Sequence, residues 1–231
     1  VDIDQEKIAA ARRSLAFVRS GDVVGLGTGS TASYFIRFLA ERVRAGLDIR
    51  AIPTSNQSEE LARSLGIPLT SFEESAEVDV TIDGADEIGP NCELLKGGGG
   101  ALLREKVVAS ASRKVVIIAD STKQVQSFGG FPLPVEVVCF AQPLLARRIG
   151  RMGAAVGLRR GGSGSPFLTD EGHHILDCRF GGIPNPAKLA DELIRMPGLV
   201  EHGLFINLAD VILIGKGSSV LELYPGREAH R

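Results

Sequence analysis

The chain has 231 residues, 44% of them apolar and 23% charged, with a formal net charge of −2. That length allows one large or two modest domains with a real core, and a near-neutral balance without a basic tract argues against nucleic acid or an anionic membrane as partner. Cys92, Cys139 and Cys178 are too few and too scattered for a zinc site or a disulfide framework. With no apolar run near the ~18 residues of a membrane span and no signal-peptide pattern in Val1-Asp2-Ile3-Asp4, a soluble cytoplasmic protein with reduced thiols is expected.

Asp4 can cap a helix over 4–18, in which Ile8, Ala11, Leu15 and Val18 recur at helical spacing and Lys7 sits in the first turns. The turn Gly21-Asp22 leads into a short apolar strand, Val23-Val24, then into Gly25-Leu26-Gly27-Thr28-Gly29-Ser30-Thr31. A helix with Phe35, Ile36, Leu39 and Val43 on one face follows. Strand, glycine-rich turn and helix together present backbone N–H groups and a helix N-terminus to an anion. No Gly-Lys-Ser/Thr closes the turn, so it is not a Walker loop, and Ser30 occupies the third glycine position of the dinucleotide fingerprint. The hydroxyls of Thr28, Ser30 and Thr31 fit a single phosphate; the alternative is a plain strand-to-helix turn capped by Ser30.

A strand over 49–52 closed by Pro53, a helix over 55–65 and a strand near 67–69 continue an alternation that predicts an α/β unit with a largely parallel sheet. A strand over 78–82 then delivers Asp83-Gly84-Ala85-Asp86-Glu87 at its carboxyl end. Three carboxylates in five residues repel one another; calcium-loop spacing is absent, and an acidic surface turn competes with a functional cluster. Lys96 can supply a compensating charge.

Four glycines, Gly97-Gly98-Gly99-Gly100, follow Lys96. They add nothing to a core and raise the cost of ordering the chain, but their backbone can approach a ligand closely. In the helix that follows, Leu103 and Val107 form an i, i+4 packing stripe, from which Glu105 points away by roughly 180°. A linker followed by a surface helix is the alternative. An apolar strand over 114–119 ends at Asp120-Ser121-Thr122-Lys123. Polar clusters around 28, 83, 96 and 123 thus all fall at carboxyl ends of strands, where ligands collect in parallel α/β sheets.

Phe131-Pro132-Leu133-Pro134 reads as a domain boundary. Beyond it come a strand over 135–138, a helix over 143–152, a strand over 155–159, the loop Gly161-Gly162-Ser163-Gly164-Ser165-Pro166, a strand over 174–178, a helix over 186–195 and a strand over 200–204. That β-α-β-β-α-β order is the ferredoxin-like pattern, without a catalytic cluster; His173-His174 reads as structural. A buried strand over 211–214 rejoins the first domain, and 226–231 reads as a disordered tail. The expected fold is α/β. A Rossmann-like, largely parallel sheet domain takes 1–130 plus 205–231, and a smaller α+β domain takes 131–204.

The glycine turn at 25–31, the Asp83–Glu87 cluster, the Lys96–Lys106 stretch and Phe131-Pro132-Leu133-Pro134-Val135-Glu136-Val137 resemble, in order and interval, the motif set of the type A ribose-5-phosphate isomerases. The resemblance spans nearly the whole chain. It implies a metal-independent, cofactor-free aldose–ketose isomerase of the pentose phosphate pathway, interconverting ribose 5-phosphate and ribulose 5-phosphate through an enediolate. Carried onto this chain, it makes Glu105 the base between carbons 2 and 1. Asp83 assists ring opening, with Gly84, Ala85 and Asp86 in the sugar-binding cluster. Lys96 and the N–H groups of Gly97, Gly98 and Gly99 stabilise the enediolate. Thr28, Gly29, Ser30 and Thr31 form the phosphate loop, with Lys7 and Lys123 as further phosphate contacts. A homodimer or homotetramer is implied, with the small domain helping assembly. Gly130 stands where some relatives carry a basic residue. Another phosphosugar isomerase on this scaffold is the nearest rival. A non-catalytic sugar-phosphate sensor would carry a DNA-binding segment and lose the acid/base residues, yet Glu105 and Asp83 are both present. A nicotinamide enzyme is weakened by Ser30.

Overall fold

The computed structural model describes residues 2–225. The tail over 226–231, expected to be disordered, lies outside the described residues. In chain order the first elements are α1 (Ile3–Ser14), β1 (Val23–Leu26), α2 (Ser30–Arg44), β2 (Arg50–Pro53), α3 (Asn56–Ser64), β3 (Val80–Asp83), β4 (Glu87–Ile88), β5 (Leu94–Leu95) and α4 (Leu102–Ser110). There follow β6 (Val115–Asp120), β7 (Leu133–Val137), α5 (Gln142–Arg151), β8 (Ala155–Leu158), β9 (His174–Arg179), α6 (Pro186–Ile194), β10 (Leu199–His202), β11 (Leu204–Phe205), β12 (Val211–Lys216) and β13 (Ser219–Leu223). The chain divides into two compact units, one of Val1–Ala85, Arg104–Lys123 and Asn207–Arg231, the other of Asp86–Leu103 and Gln124–Ile206.

The first unit is built on a six-stranded sheet in the order β13-β12-β6-β3-β1-β2, parallel except for the β12–β13 hairpin. Every residue of β6, Val-Val-Ile-Ile-Ala-Asp, is buried, as a β-branched strand covered on both faces must be. Phe35, Ile36 and Leu39 of α2 pack into the core with Leu26, Ile82, Val116 and Leu213. Sequence order runs outward from β1 in both directions, to β2 on one side and β3 on the other, so a topological switch point lies between β1 and β3.

Several local expectations are corrected. Asp2, not Asp4, caps α1, its side chain accepting from the N–H groups of Asp4 and Gln5. The fully covered face of α1 is Glu6, Ala10, Ala11 and Ser14 rather than an Ile8–Leu15 stripe. The helix lies directly on β12, where a Cβ at Gly215 would come within 2.1 Å of the Glu6 carbonyl oxygen. Gly29, with φ +108°, is the N-cap of α2, and Ser30 is its first residue rather than its cap. No strand forms at 67–69 beyond a single Ala51–Leu69 bridge, because Pro68 has no N–H to extend a ladder.

The second unit holds an antiparallel sheet in the order β10-β7-β9-β8, with connections β7-α5-β8-β9-α6-β10, the ferredoxin-like arrangement. Beside it in the same unit is a three-stranded antiparallel sheet, β11-β5-β4, built from two-residue strands. The strand expected over 200–204 is two strands, because the chain changes sheet at Gly203. Its N–H donates to Pro134 O (2.8 Å) and its carbonyl accepts from Lys96 N (2.8 Å). His173 Nδ1 lies 2.9 Å from Oε1 of Glu136, which also accepts from Thr169 Oγ1 (2.9 Å). Burial pushes the Glu136 carboxyl above its ordinary range, opposed by those two hydrogen bonds. The three cysteines are unbridged, and burial lifts the Cys178 thiol to about 12, so it is inert.

Candidate active site

In the first unit the carboxyl end of β1 turns tightly at Gly27, whose N–H donates to Ile82 O (2.9 Å). A Cβ there would stand 2.2 Å from Asp83 Oδ1, so glycine is what lets that carboxylate in. Asp83 is 2% exposed, and its Oδ1 accepts from the N–H groups of Thr28 (3.1 Å) and Gly84 (2.7 Å). Thr28 of the glycine turn and Asp83, 55 residues apart in sequence, therefore meet at the switch point. Thr28 turns its hydroxyl toward the end of β2, against Thr54 Oγ1 (2.9 Å) and Ser55 Oγ (2.7 Å). The exposed Gly29 and Ser30 and the buried Thr31 stand at the N-terminus of α2, whose first N–H groups have no intrahelical acceptor.

Glu105 corrects the sequence reading of its helix. Val107 is 45% exposed, whereas Glu105 is 4% exposed, on the same face as Leu102, Val108 and Ala109. Val78 N–H donates to Ala111 O (3.0 Å) and Arg113 N–H to Val78 O (2.8 Å), so α4 runs antiparallel to the strands, its end beside the start of β3. Val108 packs on Gly25, where an added Cβ would lie 2.8 Å from its Cγ1. Three residues back along the helix is about 4.5 Å, little more than one strand residue of about 3.3 Å. Glu105 therefore stands at the level of Leu26 and Gly27, where Asp83 also is. Arg104 points to the start of α3, donating from Nη1 to Asn56 Oδ1 (2.9 Å).

Two lysines of the first unit lie on elements reaching the same edge of the sheet. Glu6 Oε2 accepts from Ser121 N (2.9 Å), just beyond β6, and Oε1 from Gly217 N (2.9 Å) in the β12–β13 turn. A hydrogen bond from the Ser121 hydroxyl, then those two N–H groups, hold the Glu6 carboxyl below its ordinary range. Lys7 is the next residue, its Nζ 3.4 Å from Asp4 Oδ1, and Lys123 ends the short turn that Ser121 begins.

The second unit carries the remaining candidates. Lys96 directly follows β5, is 3% exposed, and has its Nζ 5.4 Å from the centroid of the Phe205 ring. Gly98 N–H donates to Asp86 Oδ2 (2.7 Å), so that loop donor is turned to the acidic cluster. Gly97 and Gly100 have φ of +102° and +83°, the left-handed region that favours glycine. Glu87, 5% exposed, accepts from Phe131 N–H (2.7 Å), a backbone donor beside Gly130.

Glu6, Thr54 and Ser55 were not singled out by sequence. Ser55 could have been found from its capping pattern with Ser58, whereas Glu6 gave no signal beyond lying next to Lys7. Among the described residues, no group of three or more His, Cys, Asp or Glu could hold a metal ion, and no helix is long and apolar enough to cross a membrane.

A parallel sheet whose switch point joins a hydroxyl-bearing glycine turn to the buried Asp83 carboxylate places the chain among α/β proteins with a polar ligand site at the carboxyl ends of the strands. Comparison with known proteins narrows this. Residues 50–219 match the family model described as ribose 5-phosphate isomerase A (phosphoriboisomerase A). The chain is 48% identical to ribose-5-phosphate isomerase A of Parvibaculum lavamentivorans, with 96% of this chain and all of the relative covered. It is 51% identical to the Sphingopyxis alaskensis protein of the same name, covering 93% and 94%. A solved D-ribose-5-phosphate isomerase in complex with phospho-erythronic acid superposes with a TM-score of 0.94 at 35% identity, covering 97% of this chain and 100% of that one. The chain belongs to the ribose 5-phosphate isomerase A family.

Proposed function

We infer that the protein interconverts D-ribose 5-phosphate and D-ribulose 5-phosphate through an enediolate, by general acid–base chemistry without a metal or other cofactor. The observation that carries this reading is the burial of Glu105 on the sheet-facing side of α4, at the strand-end level of Asp83. A core has no use for a carboxylate there, and isomerisation needs one next to the C–H bond it breaks. The similar solved enzyme binds phospho-erythronic acid, a phosphorylated sugar acid, which supports a phosphorylated sugar as the ligand here.

In this mechanism the 28–31 turn, Lys7 and Lys123 take the phosphate, which orients the sugar without joining in the chemistry. Asp83 helps the furanose open, while Gly84, Ala85 and Asp86 hold the sugar. Glu105 moves the proton from carbon 2 to carbon 1. Lys96, with the N–H groups of the 97–99 loop, offsets the negative charge growing on the oxygens. General base catalysis contributes about 10²–10⁴-fold, and each oxyanion donor about 10²–10³-fold.

Assembly as a homodimer or homotetramer through the small module is supported by Phe140, 96% exposed, with Leu144 (43%) and Val138 (41%) partly exposed nearby in sequence. The primary test is an assay of purified protein on ribose 5-phosphate with EDTA present. Ribulose 5-phosphate should form at an undiminished rate, and no product would overturn the function; activity abolished by EDTA would overturn the metal-independent mechanism.

A further inference from the structure

Arg159 follows β8, in a stretch where the sequence shows no motif, and its side chain is only 13% exposed. All of its polar reach is spent within the second unit. Nε and Nη2 donate to Asp177 Oδ2 (3.0 Å) and Oδ1 (2.5 Å), a two-pronged pairing with the middle of β9. Nη1 donates to two carbonyl oxygens, those of Gly97 (2.9 Å) and Gly98 (3.0 Å). These belong to the peptides Gly97–Gly98 and Gly98–Gly99. The guanidinium also lies 6.0 Å from the Phe167 ring centroid, and Phe167 closes on Gly100, where a Cβ would fall 2.5 Å from its Cζ.

A run of four glycines has more conformations to lose than any other sequence, so something outside it must choose one. In a trans peptide the carbonyl and the following N–H point opposite ways. Pinning Gly97 O and Gly98 O therefore fixes the directions of the Gly98 and Gly99 N–H groups. The first is committed to Asp86 Oδ2 at 2.7 Å; the second is offered on the face away from Arg159.

We propose that Arg159, held by Asp177, is a positioning residue for the isomerisation: it selects the peptide orientations of the 97–99 loop that aim Gly99 N–H and Asp86 at the reacting sugar. This rests on the reading of Lys96 and its loop as the enediolate stabiliser. Arginine is required because one planar fork serves a carboxylate and two carbonyls at once, whereas an ammonium offers a single point charge.

The test compares Arg159→Met, Arg159→Lys, Arg159→Ala and Asp177→Asn with wild type on ribose 5-phosphate. A small displacement of aligned groups costs about 10²-fold in rate, so kcat of R159M should fall by about that factor. KM should move less than about threefold, because the phosphate contacts supply that binding and are untouched. R159K should remain well below wild type, and guanidinium added to R159A should restore part of kcat, which a loss of general stability would not allow. If R159M or R159A does not fold, D177N is read by the same split. A folded R159M or D177N with kcat within about twofold of wild type overturns the proposal, as does a loss that falls on KM and that guanidinium leaves unrelieved. A wild type silent on ribose 5-phosphate overturns the functional reading beneath it, which is a separate result.

Discussion

Glu105 is where a single residue tells most. Sequence periodicity set Leu103 and Val107 as the buried pair and turned Glu105 outward, yet Val107 is exposed and Glu105 is buried. The pattern misled because α4 buries a mixed face, Leu102, Glu105, Val108 and Ala109, and periodicity detects only apolar stripes. The glycine turn and Asp83 were legible because loops at strand ends announce themselves by composition, whereas the contact between them needed the fold. Replacing the base while keeping its shape should separate chemistry from structure. Glu105→Gln should lower kcat by about 10²–10⁴-fold with KM little changed. Thermal unfolding and steady-state assays check it together; a folded variant with wild-type kcat removes Glu105 from the mechanism.

At the scale of elements, α1 was legible as a helix but not by the face it buries, which is small and polar. Its contact with β12 depends on Gly215, and the atom an added methyl would meet is backbone, which cannot rotate away. Gly215→Ala should cost about 1–3 kcal/mol by overpacking. For a chain of this size that lowers the melting temperature by about 2–4 °C per kcal/mol, measured by calorimetry. The same helix supplies Glu6, whose carboxyl is held below its ordinary range by donors from Ser121 and Gly217. A group with a lowered native value adds stability that is complete above its unfolded value, about 4.3, and is lost as pH falls through the native one. Glu6→Gln resembles the protonated acid, so it should be the less stable protein at pH 7. The gap should close as pH drops below 4, in urea melts at each pH. A gap of constant size from neutral to acid would mean that the charge of Glu6 stabilises nothing.

On the scale of the whole molecule, the α/β order and the ferredoxin-like module were readable because apolar strands of four to six residues alternate with amphipathic helices. The interleaving of the two units was not. The chain passes between them after Ala85, Leu103, Lys123 and Ile206. What places 86–103 in the second unit is a sheet of two-residue strands, too short for any period to register. The proline-rich stretch at 131–134 drew the expected boundary because prolines mark breaks in elements; these particular prolines sit inside and beside β7. Assembly offers the remaining test at this scale. Phe140 lies in the short turn before α5, almost wholly exposed, a large aromatic surface that a chain working alone would gain by losing. If that surface is buried against a second copy, Phe140→Glu places a charge in the contact on each side. A charge buried without a partner costs several kcal/mol, enough to shift a dimer toward monomers at micromolar concentration. Folding of the monomer should hardly change, since exposed substitutions usually stay within about 0.5 kcal/mol. Light scattering on wild type and F140E decides it: a lighter, still folded variant locates the contact on this module, and equal masses move the search to another face.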